Sequence, residues 1–253
     1  MRVTLLGTGT SQGVPVIGCK CDVCSSGDLK DKRLRSAIMV EEGNTRIIVD
    51  VGPDFRQQML RHHVDNLDAI LLTHEHADHI FGLDDIRGFN WLRKAPMDIH
   101  CEPRVQDNLR NTFSYVFAKD KIPGTPEMNL IDLENKVFTI KTIEITPIRL
   151  QHQYLPVFGF RFGRFAYLTD FNAIEVRELE KLYGIDTLVI CALRNSPHVS
   201  HLNLSGALSL IAKIGPREAY LTHMSHEIGK HRDLLTVLPP GIEPGYDGMT
   251  IEI

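Results

Sequence analysis

Short apolar, β-branched runs recur along the chain between polar segments, and nine of them predict strands: Arg2–Leu6, Arg46–Asp50, Asp68–Leu72, Ile143–Leu150, Val157–Arg161, Phe165–Thr169, Thr187–Cys191, Ala219–Thr222 and Met249–Ile253. Apolar positions at helical spacing predict helices over Arg104–Phe117, Ala173–Tyr183 and Ser205–Ile214. The order of these elements is mixed, and the neighbouring runs Ile143–Leu150 and Val157–Arg161 read as antiparallel. An α/β architecture of helices on two mixed sheets is therefore expected. No repeat, low-complexity tract or Ser/Gly linker divides the chain, so residues 1–253 read as one domain. The segment 119–127, with Pro123, Gly124 and Pro126, reads as an exposed loop, either a lid or an inert connection.

At 253 residues with 43% apolar and 24% charged content, the chain can bury a core without disulfides, which excludes disordered and disulfide-scaffold classes. The formal net charge of -4 argues against long duplex nucleic acid as a partner. No apolar run reaches the length of a membrane span, and the opening MRVTLLGTGTSQG has no signal-peptide core, so a cytoplasmic, membrane-free protein is expected.

The chemistry concentrates in histidines and cysteines. In Thr73-His74-Glu75-His76-Ala77-Asp78-His79, which follows a predicted strand, His74 and His76 can share one side of an extended segment while Asp78 and His79 reach the other as the chain turns. One short peptide then supplies ligands for two neighbouring cations, with imidazole and carboxylate donors that suit zinc, manganese or iron. Further ligands are needed, and His152, Asp170 and His223 each stand at the end of a predicted strand. A second cluster, Cys19-x-Cys21-x-x-Cys24, offers three thiolates where a closed zinc site wants four donors. The candidate fourth donor is His226, three residues beyond His223, which would fix the loop around residues 13–35 beside the first site as a wall of the substrate pocket. Cys101 and Cys191 read as core residues, and His62, His63, His100 and His231 as structural or solvated. The Gly-rich opening lacks the Lys-Ser or Lys-Thr of a phosphate loop and reads as a tight turn near the metals.

The pattern T-H-x-H-x-D-H, followed by a lone His, a Thr-Asp and a Leu-Thr-His, resembles the metallo-β-lactamase superfamily over nearly the whole chain. The resemblance implies a four-layer αβ/βα sandwich. It also implies that His74, His76 and His152 hold one cation, that Asp78, His79 and His223 hold the other, and that Asp170 bridges. It implies that Asp50, closing Ile-Ile-Val-Asp-Val-Gly, is a buried partner that orients the ligand turn. The opening Gly7-Thr-Gly-Thr-Ser-Gln-Gly-Val-Pro15, the cysteine cluster, Leu-Thr-His-x-Ser-His and Gly245-Tyr-Asp-Gly-Met249 further resemble the phosphoribosyl cyclic phosphodiesterases of the carbon-phosphorus lyase pathway and their relatives. In that family the cysteines and the second histidine hold a structural zinc.

These likenesses imply a cytoplasmic hydrolase with two manganese or zinc ions and one structural zinc, acting on small cyclic phosphate or nucleotide-like phosphodiesters, with a homodimer as the implied assembly. A metal pair acidifies a shared water and supplies hydroxide at neutral pH, and Asp78 would orient it. The family pattern places the general acid at His201, with His198 as the second candidate in His198-Val-Ser-His201. The segments Gly82–Trp91 and Ser196–Ser200 depart from that family's pattern. Thioester hydrolysis, tRNA 3′-processing and metal binding without turnover are the other readings. The nuclease lacks its basic Gly/Pro-rich arm here, the thioesterase lacks a C-terminal substrate domain, and β-lactamase activity has least support.

Overall fold

The computed structural model describes residues 1–120 and 122–253; Lys121, inside the loop expected over 119–127, lies outside the described residues. The first sheet is built from β1 (Arg2–Gly7), β2 (Ala37–Glu42), β3 (Thr45–Val49), β4 (Ala69–Leu71), β5 (Met97–Cys101) and β6 (Met128–Asp132). The second takes β7 (Phe138–Ile140), β8 (Ile143–His152), β9 (Leu155–Phe162), β10 (Phe165–Leu168), β11 (Ala173–Ile174), β12 (Thr187–Cys191), β13 (Glu218–Thr222) and β14 (Ile242–Pro244). β15 (Thr250–Glu252) returns to the first sheet beside β1, giving the order β15-β1-β2-β3-β4-β5-β6. The second sheet runs β11-β8-β9-β10-β12-β13-β14, with β7 also on β8.

Alternation within the strands dictates the layering, because successive side chains in a strand point to opposite faces. Ile47 and Val49 of β3 and Phe165 and Tyr167 of β10 fill a core between the sheets, while Ile48, Ala166 and Leu168 face outward. Both outward faces are covered by helices. On the first sheet these are α1 (Phe55–Arg61), α2 (Ala77–Ile80), α3 (Arg87–Arg93) and α4 (Pro103–Thr112), and on the second α5 (Val176–Glu180), α6 (Leu204–Ile214) and α7 (His231–Val237). The two-sheet αβ/βα expectation is met.

α6 shows why one of these helices forms where it does. The Asn203 Oδ1 accepts the Gly206 N–H at 3.0 Å, Ala207, Ile211 and Ile214 bury one face, and Gly215 ends the helix at φ 71°. Two predicted helices are shorter than expected. Helix α4 stops at Thr112 because Phe113 and Val116 turn into the core. Over 173–183, Ala173 and Ile174 instead pair with Gln151 and Leu150 as β11, satisfying the open edge of β8, and only Val176–Glu180 is helical.

Each sheet is antiparallel on one side and parallel on the other. β3-β4-β5-β6 and β10-β12-β13-β14 are parallel. The carboxyl ends of parallel strands are where an open α/β sheet presents functional side chains. Here β3, β4, β10 and β13 lead directly into Asp50, the Thr73–His79 turn, Asp170 and His223.

Candidate metal centre

Strand β4 ends at Leu71, the chain bends at Thr73 and passes through His74 and His76 without regular structure, and α2 then carries Asp78 and His79. His152 is the last residue of β8. Asp170 and His223 follow β10 and β13 in the left-handed region, with φ of 49° and 54°. Two ligand sets result, His74, His76, His152 and Asp170, and Asp78, His79, Asp170 and His223, and within each set one donor atom per residue lies within 4.8 Å of the others. Every residue expected in the dinuclear site is brought together, and Asp170 belongs to both sets.

Each buried histidine of the two sets is tied on one ring nitrogen and leaves the other for the cluster, the arrangement that fixes a metal-binding imidazole. Thr73 Oγ1 lies 2.9 Å from His74 Nδ1, Asp50 Oδ2 lies 2.7 Å from His79 Nδ1, and the Ser200 carbonyl lies 2.8 Å from His152 Nδ1. Thr10 Oγ1 sits 3.3 Å from His223 Nε2. Asp50, fully buried, also accepts the Thr73 N–H at 2.9 Å, so it braces the ligand turn as the resemblance implied. The remaining ring nitrogens crowd together. His74 Nε2 and His76 Nδ1 are 2.9 Å apart, and His79 Nε2 is 3.2 Å from both Asp78 Oδ2 and Asp170 Oδ2.

One contact tests whether cations fit. His223 Nδ1 lies 2.7 Å from Asp170 Oδ1, yet among the described residues it has no partner in hydrogen-bond geometry. Two donor atoms that approach without a hydrogen bond between them are placed as co-ligands would be. The His and Asp groups fit a dinuclear metal site. The electrostatics agree: burial, reinforced by His79, keeps the His74 imidazole well below its usual range, and burial pushes His152 down to about 4. Both therefore present neutral lone pairs. Burial also opposes charge on His79, but Asp78, Asp170 and Asp50 together raise it well above the ordinary imidazole value.

The cysteine cluster lies where its spacing placed it. Cys19 Sγ and Cys21 Sγ stand 3.4 and 3.3 Å from His226 Nδ1, and Cys24 completes a set of four donors. The Cys24 N–H, with His226, lowers the Cys21 thiol to about 6, so it is ionised at neutral pH. Met224, between His223 and His226, exchanges backbone bonds with Thr8 and Thr10 at 2.9 and 3.1 Å, fastening the Gly-rich opening to both clusters. Cys101 and Cys191 are fully buried, as expected of core residues.

His201 packs over the centre, stacked on the His223 ring at 5.0 Å, with Nε2 3.7 Å from Asp170 Oδ2. Sequence reasoning missed Thr10, Thr73 and the Ser200 carbonyl. Thr73 had a signal, since it adjoins the first ligand; a backbone carbonyl is common to all residues and leaves none.

Residues 45–224 match the model of the family described as "Beta-lactamase superfamily domain". Among solved structures, the fold is similar to a new diphosphatase from the PhnP family, with TM-score 0.94 and 37% identity, covering 100% of this chain and 98% of that one. It is also similar to Zn(2+)-bound PqqB from Methylobacterium extorquens, with TM-score 0.81 and 18% identity over the full length of both chains. An octanoyltransferase of Porphyromonas gingivalis (strain ATCC BAA-308 / W83) is 42% identical over 252 residues, which are 98% of this chain and 51% of that protein. The chain spans about half the length of the curated relatives it matches first.

Proposed function

The chain belongs to the metallo-β-lactamase superfamily, and from that premise we propose that it is a metal-dependent phosphodiesterase acting on small cyclic phosphate or nucleotide-like diesters. The observation that carries the reading is the end-to-end likeness to a PhnP-family diphosphatase at 37% identity. The metal sets supply a chemistry that suits it. Two divalent cations bound there would acidify a water molecule and neutralise charge on the phosphoryl group. Their nitrogen and oxygen donors accommodate manganese or zinc, whereas the thiolates of Cys19, Cys21 and Cys24 with His226 favour a structural zinc.

The chain's own groups then divide the work. Asp170, common to both sets, holds them at a fixed separation. Asp78 accepts a hydrogen bond from the attacking water and aims it at phosphorus. His201, with Nε2 turned toward Asp170, gives a proton to the leaving oxygen. The loop carrying the cysteines forms one side of the substrate site.

The test is hydrolysis of bis(p-nitrophenyl) phosphate and a panel of cyclic phosphates by stripped protein with manganese or zinc added back, with Asp78→Ala as control. Turnover should need metal and fall about 10²–10⁴-fold in the variant. No turnover with metal demonstrably bound overturns the reading. Acyl thioester hydrolysis is the second reading, favoured by the 42% identity to a protein named octanoyltransferase, although that name describes a protein about twice as long. Faster cleavage of an octanoyl thioester than of any phosphodiester would select it.

A further inference from the structure

We propose that His198 is a positioning residue that fixes the tautomer of His201, keeping the proton on Nδ1 so that Nε2 is the atom that serves the leaving oxygen. The inference rests on the phosphodiesterase reading above. His201 is held over the metal centre by its stack on His223, at 5.0 Å and an interplanar angle of 10°, and by an edge contact with His152 at 4.6 Å. That orientation turns Nε2 toward Asp170 and Nδ1 away from the centre. On the far side, His201 Nδ1 meets His198 Nδ1 at 3.1 Å and Ser200 Oγ at 3.0 Å.

Two imidazole lone pairs cannot face each other at that distance, so one nitrogen must carry hydrogen. The backbone decides which. The Ser200 N–H donates to His198 Nδ1 at 3.3 Å, and Ser200 Oγ, 3.2 Å from the same atom, can donate to it as well. His198 Nδ1 is therefore an acceptor. The hydrogen therefore sits on His201 Nδ1, shared between His198 Nδ1 at 3.1 Å and Ser200 Oγ at 3.0 Å.

The consequence is a defined proton path. In its cationic form His201 carries protons on both nitrogens. As the bond from phosphorus to the leaving oxygen breaks, its electron pair stays with that oxygen, which takes the Nε2 proton. His201 is left neutral with hydrogen on Nδ1, the form His198 and Ser200 already hold. A buried carboxylate performs the same service for the histidine of a hydrolytic triad; here a neutral ring does so. His198 does not touch the substrate.

The test compares His198→Phe, which removes the acceptor, with His198→Asn, whose Oδ1 can restore it near the Nδ1 position, both as metal-loaded protein. For a cyclic phosphate with a poor alkoxide leaving group, His198→Phe should lose about tenfold in kcat with KM unchanged. Its cleavage of bis(p-nitrophenyl) phosphate, whose nitrophenolate leaves without a proton, should fall less than twofold. His198→Asn should stay within about twofold of wild type on both. Imidazole ¹⁵N spectra give a readout independent of turnover: neutral His201 should show a protonated Nδ1 in wild type and His198→Asn, and a mixture of tautomers in His198→Phe. Equal losses on both substrates, no loss in His198→Phe, or an unchanged ¹⁵N pattern overturns the inference. A wild type that cleaves neither substrate instead sinks the phosphodiesterase reading, and this role for His198 falls with it.

Discussion

Asp50, Asp170 and His223 carry their side chains on left-handed backbone, with φ of 66°, 49° and 54°, a region that non-glycine residues enter rarely and at a cost. The turns that follow the strands impose it, and the surrounding bonds hold it. For Asp50 those bonds are its reason for being there, since both carboxylate oxygens are taken by Thr73 and His79. Asn tolerates the same backbone, so Asp50→Asn isolates the carboxylate: metal affinity of the dinuclear site should fall about 10–100-fold in a titration, with the circular dichroism spectrum unchanged. Away from the centre, His231 sets a pH dependence. Burial, with Arg33 and Lys30 nearby, lowers its pKa to about 4, and its ring packs edge-on against Tyr246 at 5.7 Å. The unfolded chain binds a proton there near pH 6.5 and the folded protein does not. This contribution to stability is complete above pH 6.5, declines as pH falls from 6.5 to 4, and levels off below. His231→Phe should flatten that part of the Tm profile; an unchanged slope would remove His231 from the account.

At the scale of elements, the ligand turn is held from beneath by backbone packed against backbone. A β-carbon on Gly52 would lie 2.0 Å from the Asp78 carbonyl oxygen, and one on Gly82 would lie 2.1 Å from the Gly52 carbonyl oxygen. Gly52→Ala must therefore push Asp78 and His79 out of register, at a cost of about 1–3 kcal/mol in denaturant unfolding and with loss of the cation they would share. Capping gives a milder counterpart: Asn203→Ala should cost about 1 kcal/mol by freeing the Gly206 N–H, leaving metal content intact. These packing demands mark the limit of what the chain reveals unaided. The long central runs, such as Thr187–Cys191, announce themselves because both faces are buried. The ligands announce themselves because imidazoles and carboxylates cluster at the ends of such runs. β5 alternates Met97, Ile99 and Cys101 with Asp98 and His100, but Ile99 is its one β-branched residue, so it stands out less than the continuous β-branched runs. β11 and β14 are short edge strands whose conformation is decided by a neighbour's open edge. Gly52 carries no local sign that a distant carbonyl will need its missing side chain.

Across the whole molecule, the dinuclear set spans the seam between the sheets, with His74, His76, Asp78 and His79 from the first and His152, Asp170 and His223 from the second. Bound cations would then act as cross-links. Chelation should lower Tm by about 5–10 °C, as expected for loss of a ligand held at about a hundred times its Kd in a chain of this size. The structural zinc proposed for the cysteine loop should respond separately: Cys21→Ser should remove one zinc per chain from a metal count while the His/Asp set stays filled. Independence cannot be complete, however. His223 and His226 share a single short run whose Met224 is bonded on both sides to the opening loop. Whatever order the thiolate site imposes on that run is order the His/Asp site no longer has to impose for itself. Cations bound at the two sets would thus be partners in thermodynamic linkage, and linkage runs equally in both directions. The factor by which zinc at the thiolates would tighten binding at His223 would equal the factor by which filling the dinuclear set would tighten zinc at His226.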